Sequence, residues 1–324
     1  MYIEANEFYG LTKFFSEVGY YETPMHQKLY NDLKAHIQFG GILAFTGSVG
    51  SGKTTLLNRI QSELVEKQQV IVSQSLSTEK RALTIQTLFL ALFYDLSPRE
   101  KSIKVPTQNE KRERELIELM KKNKKPVVLF IDEAHDIHGL TLIGLKRLVE
   151  TVGSKGCKLS IVLAGYPKLG NALSRSTMEE IGSRTKTFSI DQAIGSKEKY
   201  IIWLINQCLQ DKKKYQEIIT DEAIQKLATA LQTPLQIQDY LSKAIQQGHQ
   251  LGEKIITPEL IEQVLRADLN SLEAQLVRNG YQFKSICELL NATPKETNEF
   301  LQGKLNSQRK SEFIQKVRGI GIVI

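Results

Sequence analysis

The chain has 324 residues, 41 % hydrophobic and 7 % aromatic, with a net charge of +7, so it can build two or three cored globular domains. No apolar run approaches the ~20 residues of a membrane span, which excludes a helical membrane protein and makes a membrane partner unexpected. Cys157, Cys208 and Cys287 are scattered, odd in number and without metal spacing, which argues for reduced thiols and against a disulfide or zinc scaffold.

Residues 1–40 read as a mixed lead-in. Met1-Tyr2-Ile3-Glu4-Ala5 lacks the basic-then-apolar order of a signal peptide, so a cytoplasmic setting is expected. Pro24 opens a predicted helix over 25–37, where Leu29, Leu33 and Ile37 recur every four residues. The apolar run Ile42–Phe45 predicts a strand over 42–46. Directly behind it, Gly47-Ser48-Val49-Gly50-Ser51-Gly52-Lys53-Thr54 spells G-x-x-x-x-G-K-T, and Thr55 continues into a helix.

Each residue type in that loop has a chemical reason. Glycines let successive backbone N–H groups turn inward around a phosphate chain. Lys53 supplies a point charge to the β- and γ-phosphates, and the Thr54 hydroxyl reaches Mg²⁺. The dipole of the following helix favours the anion. A glycine-rich linking turn would leave Lys-Thr behind the last glycine unexplained. ATP with Mg²⁺ is therefore the expected cofactor.

Strands follow over 69–74, 126–131, 158–164 and 185–190. They alternate with helices over 82–96, 107–123 and 139–152. Apolar strands alternating with helices predict an α/β fold, a mostly parallel sheet with helices on both faces. The stretch 99–125 carries ten Lys/Arg against five Glu. It reads either as a phosphate-attracting stripe or as a solvated helix face with pairs such as Glu110–Arg114. The strand Val127–Ile131 ends in Asp132-Glu133-Ala134-His135. Two carboxylates at a strand's C-terminal end suit phosphoryl transfer. Asp132 would hold Mg²⁺ through water, and Glu133 would orient and deprotonate the attacking water. An acidic helix N-terminus is the structural alternative. No further ligand near His135 and His138 suggests a metal, and His135 is expected to face solvent or to stand behind the carboxylates.

After about Gly195 the strands stop. Helices near 196–210, 220–231, 235–250 and 257–266 predict a small helical domain, with Pro234 and Pro258 at helix starts. The segment 270–324 reads as helix, turn, helix around Asn291-Ala292-Thr293, with eight Lys/Arg against five Glu. It suits a small DNA-binding module or a protein-docking tail equally. The expected domains are a lead-in (1–40), a phosphate-loop core (41–194), a helical lid (195–268) and a C-terminal module (270–324).

The loop Gly47–Thr54, Ile131-Asp132-Glu133-Ala134-His135 and Ala164-Gly165-Tyr166-Pro167 together resemble the ATPase core of the AAA+ superfamily. The Ala-Gly-x-Pro turn and the segment Thr233–Ile237 resemble its ExeA/MuB/TnsC-like group, which includes regulators of transposition target selection. The resemblance implies ATP hydrolysis in a homo-oligomer, either ring or helical filament, and the lack of an arginine after Pro234 makes slow or partner-stimulated hydrolysis the expectation. It implies assembly on double-stranded DNA, with a transposase and a target-selection protein as partners. It also implies a polar sensor after the strand 158–164, where Tyr166 stands. An arginine finger acting on the neighbouring subunit is implied before the last strand, matched best by Arg184 and next by Arg175. A lid arginine is implied after Pro234, where Leu235 and Gln236 stand instead. In this light the basic stretch is the expected DNA-facing surface, through Arg99, Lys101, Lys104, Lys111 and Arg112. The alternatives are an ExeA-like secretion-associated ATPase and a nucleotide switch that never meets DNA.

Overall fold

The computed structural model describes residues 2–75, 83–97, 105–210, 213–265, 272, 276–277, 279–301, 305 and 307–320. They divide into two units, one comprising His26–Gly47 and Gly52–Ile190, the other Met1–Met25, Ser48–Ser51 and Asp191–Ile324.

The first unit is a five-stranded parallel sheet. Its strands are β1 (Gly41–Thr46), β2 (Ile71–Gln74), β3 (Val127–Ile131), β4 (Leu159–Gly165) and β5 (Thr185–Ser189), in the order β2-β3-β4-β1-β5. The three inner strands are buried nearly end to end, as continuous runs such as Val127–Ile131 require in a sheet covered on both faces. One face packs Ile42, Ala44, Leu129, Ile131, Ile161 and Leu163 with helices α4 (Ile85–Leu96), α5 (Asn109–Asn123) and α6 (Gly139–Ser154). Residues of the opposite face, among them Leu43, Phe45, Val128 and Phe130, are equally buried. Helix α2 (Pro24–Phe39) is tied to the sheet where the Ser160 hydroxyl donates to the Ile37 carbonyl at 2.6 Å. Helix α3 (Lys53–Lys67) follows the phosphate loop, and the short helices α7 (Pro167–Leu173) and α8 (Glu179–Gly182) lie between β4 and β5 in the chain.

Helix α4 begins at Ile85, three residues later than the sequence suggests. Thr84 caps it, accepting from the Thr87 N–H, and a capping threonine stops a helix from extending backwards.

The second unit is helical. Its main core joins α9 (Lys197–Cys208), α10 (Asp221–Ala230), α11 (Pro234–Leu251) and α12 (Pro258–Leu265). Residues of the lead-in belong to the same core. Ala5 and Tyr9 of α1 (Tyr2–Tyr9), with Leu11 and Phe15, are buried there. The lead-in of the sequence reading is thus two pieces. Its first part serves the helical core, and its part from His26 onward lies with the sheet. A separate small core gathers Leu276 and Tyr281 with Ile286, Leu290, Phe300, Phe313 and Val317 of the three helices that follow them, Phe283–Leu290, Pro294–Leu301 and Ser307–Gly319.

The basic stretch needs one correction. Arg99, Lys101 and Lys104 lie outside the described residues. Lys111 is exposed and 3.9 Å from Glu115. Arg112, in contrast, is only 5 % exposed. Its guanidinium lies over the Phe89 ring at 4.8 Å and donates to Asn109 at 2.5 Å. Arg112 sits with Leu116, Ile117 and Met120 on the inward stripe of α5, so it joins α5 to α4 and is not part of an exposed basic surface. Arg112→Ala should therefore cost roughly 1–3 kcal/mol of stability in a urea melt, from the lost cation–π and hydrogen-bond contacts.

Candidate active site

The predicted chemistry gathers at the C-terminal ends of three adjacent parallel strands, where ligands of open α/β sheets bind. The phosphate loop leaves β1, Asp132-Glu133 leaves β3, and Tyr166 leaves β4, the strand paired with both.

Lys53 opens α3 and is 7 % exposed. Its Nζ donates to the Gly47 carbonyl at 2.6 Å and lies 5.1 Å from the Tyr166 ring centre. The Gly47 N–H donates to the Gly165 carbonyl at 3.2 Å, fixing where the loop departs. Gly52, at φ 94°, precedes α3, and no side chain caps the helix. Its first-turn N–H groups can therefore serve an anion.

Ser48–Ser51 belong to the helical unit. The Ser48 N–H donates to Asp191 Oδ1 at 2.6 Å, and the Leu235 N–H donates to the Gly50 carbonyl at 3.2 Å. A Cβ on Gly50 would meet Leu235 Cβ at 2.4 Å, and φ is 76° there, so only glycine fits. Thr233 caps α11 in a capping box with Gln236, and Pro234 takes the first helical position. An apolar side chain, Leu235, thus covers Gly50 at the start of α11. The Ser51 hydroxyl is buried without a partner.

The donor set fits Mg²⁺ and a triphosphate. Thr54 is exposed in the first turn of α3, Asp132 is half-buried directly after β3, and the orphaned Ser51 hydroxyl of the loop is the kind of group a ligand oxygen satisfies. Among the described residues no group of three or more His, Cys, Asp or Glu could hold a metal alone. Mg²⁺ needs no such cage, because it retains waters and takes phosphate oxygens alongside one or two protein ligands.

Asp132 Oδ1 accepts the Glu133 N–H at 2.8 Å. Glu133 is in the left-handed region, φ 55° and ψ 32°, which costs a non-glycine residue roughly 1 kcal/mol. The strain turns the carboxylate out of the β3 line and leaves it 42 % exposed.

His135 does not face solvent. Its side chain is 7 % exposed and stacks on Tyr166, with ring centres 4.1 Å apart and planes 33° from parallel. Nδ1 lies 3.3 Å from Glu133 Oε2, and Nε2 lies 3.9 Å from Asp136 Oδ2. Burial holds its pKa below the usual histidine value. Asp136 and Asp132 push upward, but burial with Lys168 and Lys53 outweighs them, so the ring is neutral at pH 7. Burial, then Glu133 and Asp132, raise the Tyr166 phenol, which remains an O–H donor.

Gly165 makes the stack possible. A Cβ there would lie 3.0 Å from His135 N and 3.3 Å from His135 Cβ. The Ala-Gly-x-Pro turn was visible in the sequence; the backbone it must admit was not. Gly165→Ala should lower stability by roughly 1–3 kcal/mol through overpacking, read from a denaturant midpoint.

Arg184 directly precedes β5. Its side chain is 55 % exposed, 3.4 Å from Glu150, and it donates to the Glu180 carbonyl at 3.2 Å. Arg175 is exposed too, beside a groove lined by Ser174, Ser176, Glu179 and Ser183.

Residues 37–173 match the family described as AAA domain. No curated protein matches the chain. Among solved structures it is similar to Drosophila ORC bound to DNA, with TM-score 0.53 and 16 % identity, over 100 % of this chain and 80 % of that one. It is also similar to the ORC2 protein of Aeropyrum pernix in its ADPNP–ADP complexes, with TM-score 0.52 and 14 % identity, over 95 % of this chain and 85 % of that one. At these identities the likeness is one of fold. With the phosphate loop, the paired carboxylates and the parallel sheet in place, residues 37–173 carry an AAA-type P-loop ATPase domain, within a chain of AAA+ fold.

Proposed function

We propose that this ATPase is a nucleotide-controlled regulator that binds double-stranded DNA without reading sequence. It oligomerises there as a ring or helical filament and recruits or activates a transposase at a site marked by a target-selection protein. The reading rests chiefly on one observation. Lys53, Asp132-Glu133 and Tyr166 converge at three strand ends in a fold shared with an ORC structure solved on DNA. The transposition role comes from the ExeA/MuB/TnsC-like motifs Ala164–Pro167 and Thr233–Ile237. The DNA-facing role falls to Lys111 and to the exposed cations ending α5 and following it, Lys121, Lys122, Lys124 and Lys125. Such a cluster neutralises phosphates without contacting base edges.

When bound, Mg²⁺ would neutralise charge on the phosphates, held by Thr54 and by Asp132 through water. Lys53 binds the β/γ-phosphates, and the backbone of Gly47–Thr55 cradles the chain. Glu133 orients the attacking water and takes its proton. Tyr166 offers a phenolic O–H near the terminal phosphate. Arg184 acts as the finger of the neighbouring subunit, which makes each site a shared one. Leu235 in place of a lid arginine suits slow, partner-stimulated turnover.

A gel shift with ATP, a non-hydrolysable analogue and ADP tests the proposal. DNA should shift with either triphosphate and not with ADP, and the shift should weaken steeply with salt. Indifference to DNA under all three conditions would reject it.

A further inference from the structure

His135 carries a buried imidazole whose Nδ1 has no hydrogen-bond partner, although it lies only 3.3 Å from Glu133 Oε2. The approach lacks hydrogen-bond alignment, so a small rotation of Glu133 would complete the bond. The opposite ring atom is farther from any carboxylate, 3.9 Å from Asp136. That difference favours the tautomer with its proton on Nδ1. The ring itself cannot turn freely. It is stacked on Tyr166, whose ring centre also lies 5.1 Å from the Lys53 ammonium. Gly165 admits the His135 backbone to that position. A polar atom this deep, left unpaired, is costly, and pairing with Glu133 would remove the cost.

We propose that His135 is the positioning residue for Glu133. Its Nδ1–H holds the Glu133 carboxylate in the orientation that activates water, and the Lys53–Tyr166–His135 stack ties that orientation to the phosphate-binding lysine. The inference rests on the assignment of Glu133 as the water-activating base. It touches neither the phosphates nor the metal ligands directly, so removing it should leave nucleotide affinity intact and slow turnover. Misplacing a reacting group by about 1 Å costs on the order of 100-fold.

Three substitutions separate packing from hydrogen bonding. His135→Phe keeps a flat ring on Tyr166 and loses Nδ1. His135→Asn keeps a nitrogen near the Nδ1 position and loses most of the ring. Glu133→Gln is the control for the base itself. Full-length protein is assayed for ATPase kcat and KM, for affinity toward a fluorescent ATP analogue, and for thermal melting. Expected is a kcat lowered about 10- to 100-fold in His135→Phe, with KM and analogue affinity within about twofold of wild type. His135→Asn should recover to within about threefold. In a Glu133→Gln background His135→Phe should change nothing further, because both act through one carboxylate. Wild-type kcat in His135→Phe overturns the proposal. If His135→Phe melts early or fails to bind nucleotide, His135→Asn decides: failure to exceed the Phe variant's kcat overturns it. Should Glu133→Gln itself hydrolyse ATP normally, the assignment of the base fails, and that outcome is distinct from failure of the His135 role.

Discussion

Lys53→Ala should bind ATP about 100-fold more weakly and hydrolyse it about 1000-fold more slowly, while folding normally. Hydrogen bonds to charged groups contribute ~1.5–3 kcal/mol, and each 1.4 kcal/mol is tenfold in affinity. The larger loss in rate reflects charge that grows on the phosphates in the transition state and is met by a preplaced cation. The fold should survive, because the hydrogen bond that Lys53 Nζ donates to the Gly47 carbonyl, at 2.6 Å, lies within the loop itself, while the sheet is held by the burial of its inner strands. Isothermal titration with ATP, steady-state hydrolysis and a thermal melt check each part. If triphosphate occupancy controls assembly, the variant should also fail to coat DNA in negative-stain images at millimolar ATP. A Lys53→Ala protein that coats DNA normally would separate assembly from this loop.

Arg184→Ala should reduce hydrolysis in the assembled state by about 1000-fold or more and leave nucleotide binding by the isolated subunit unchanged. An arginine finger contributes 10³–10⁵ to phosphoryl-transfer rates. Within one chain Arg184 is not committed to catalysis. It lies 3.4 Å from Glu150 and donates to the Glu180 carbonyl, with more than half of its side chain open to solvent. Such surface contacts contribute little stability, so a neighbouring phosphate can outcompete them. Mixing resolves whose site the arginine serves. Arg184→Ala subunits retain Glu133, and Glu133→Gln subunits retain Arg184. If the finger acts across the interface, combining the two inactive proteins restores hydrolysis at sites that pair an intact Glu133 with an intact Arg184. If no activity returns, Arg184 serves its own subunit or has no catalytic part. The same mixture with Arg175→Ala discriminates between the two arginines.

Local chemistry was legible because it depends on residues adjacent in sequence. G-x-x-x-x-G-K-T between an apolar run and a helix has one good physical reading, and the structure has a strand, a loop and α3 there. Continuous apolar strands ending in Asp132-Glu133 implied a parallel sheet with carboxylates at its C-terminal edge, and the register of β3 on β4 has that arrangement. Element boundaries moved by up to three residues, at α4 because the Thr84 cap sets its start, and also at β2, which begins at Ile71.

Long-range partners were not legible. Arg112 reads as one cation among ten, yet its place on the inward stripe of α5 against Phe89 makes it a packing residue. Residues 2–15 read as a featureless lead-in, because burying Ala5, Tyr9, Leu11 and Phe15 requires helices that begin almost 200 residues later. The carboxylates beside His135, Glu133 and Asp136, come from its own segment, but the ring stacked on it does not. Tyr166, which covers it, arrives on a different strand. Sequence by itself determined the nucleotide, the strand-end carboxylates and the α/β class, since those follow from backbone dihedrals and from the charge and periodicity of contiguous residues. Only the tertiary structure decided which cations are buried, where the lead-in belongs and what stands behind Glu133. Those outcomes depend on side chains from distant segments competing for the same buried volume.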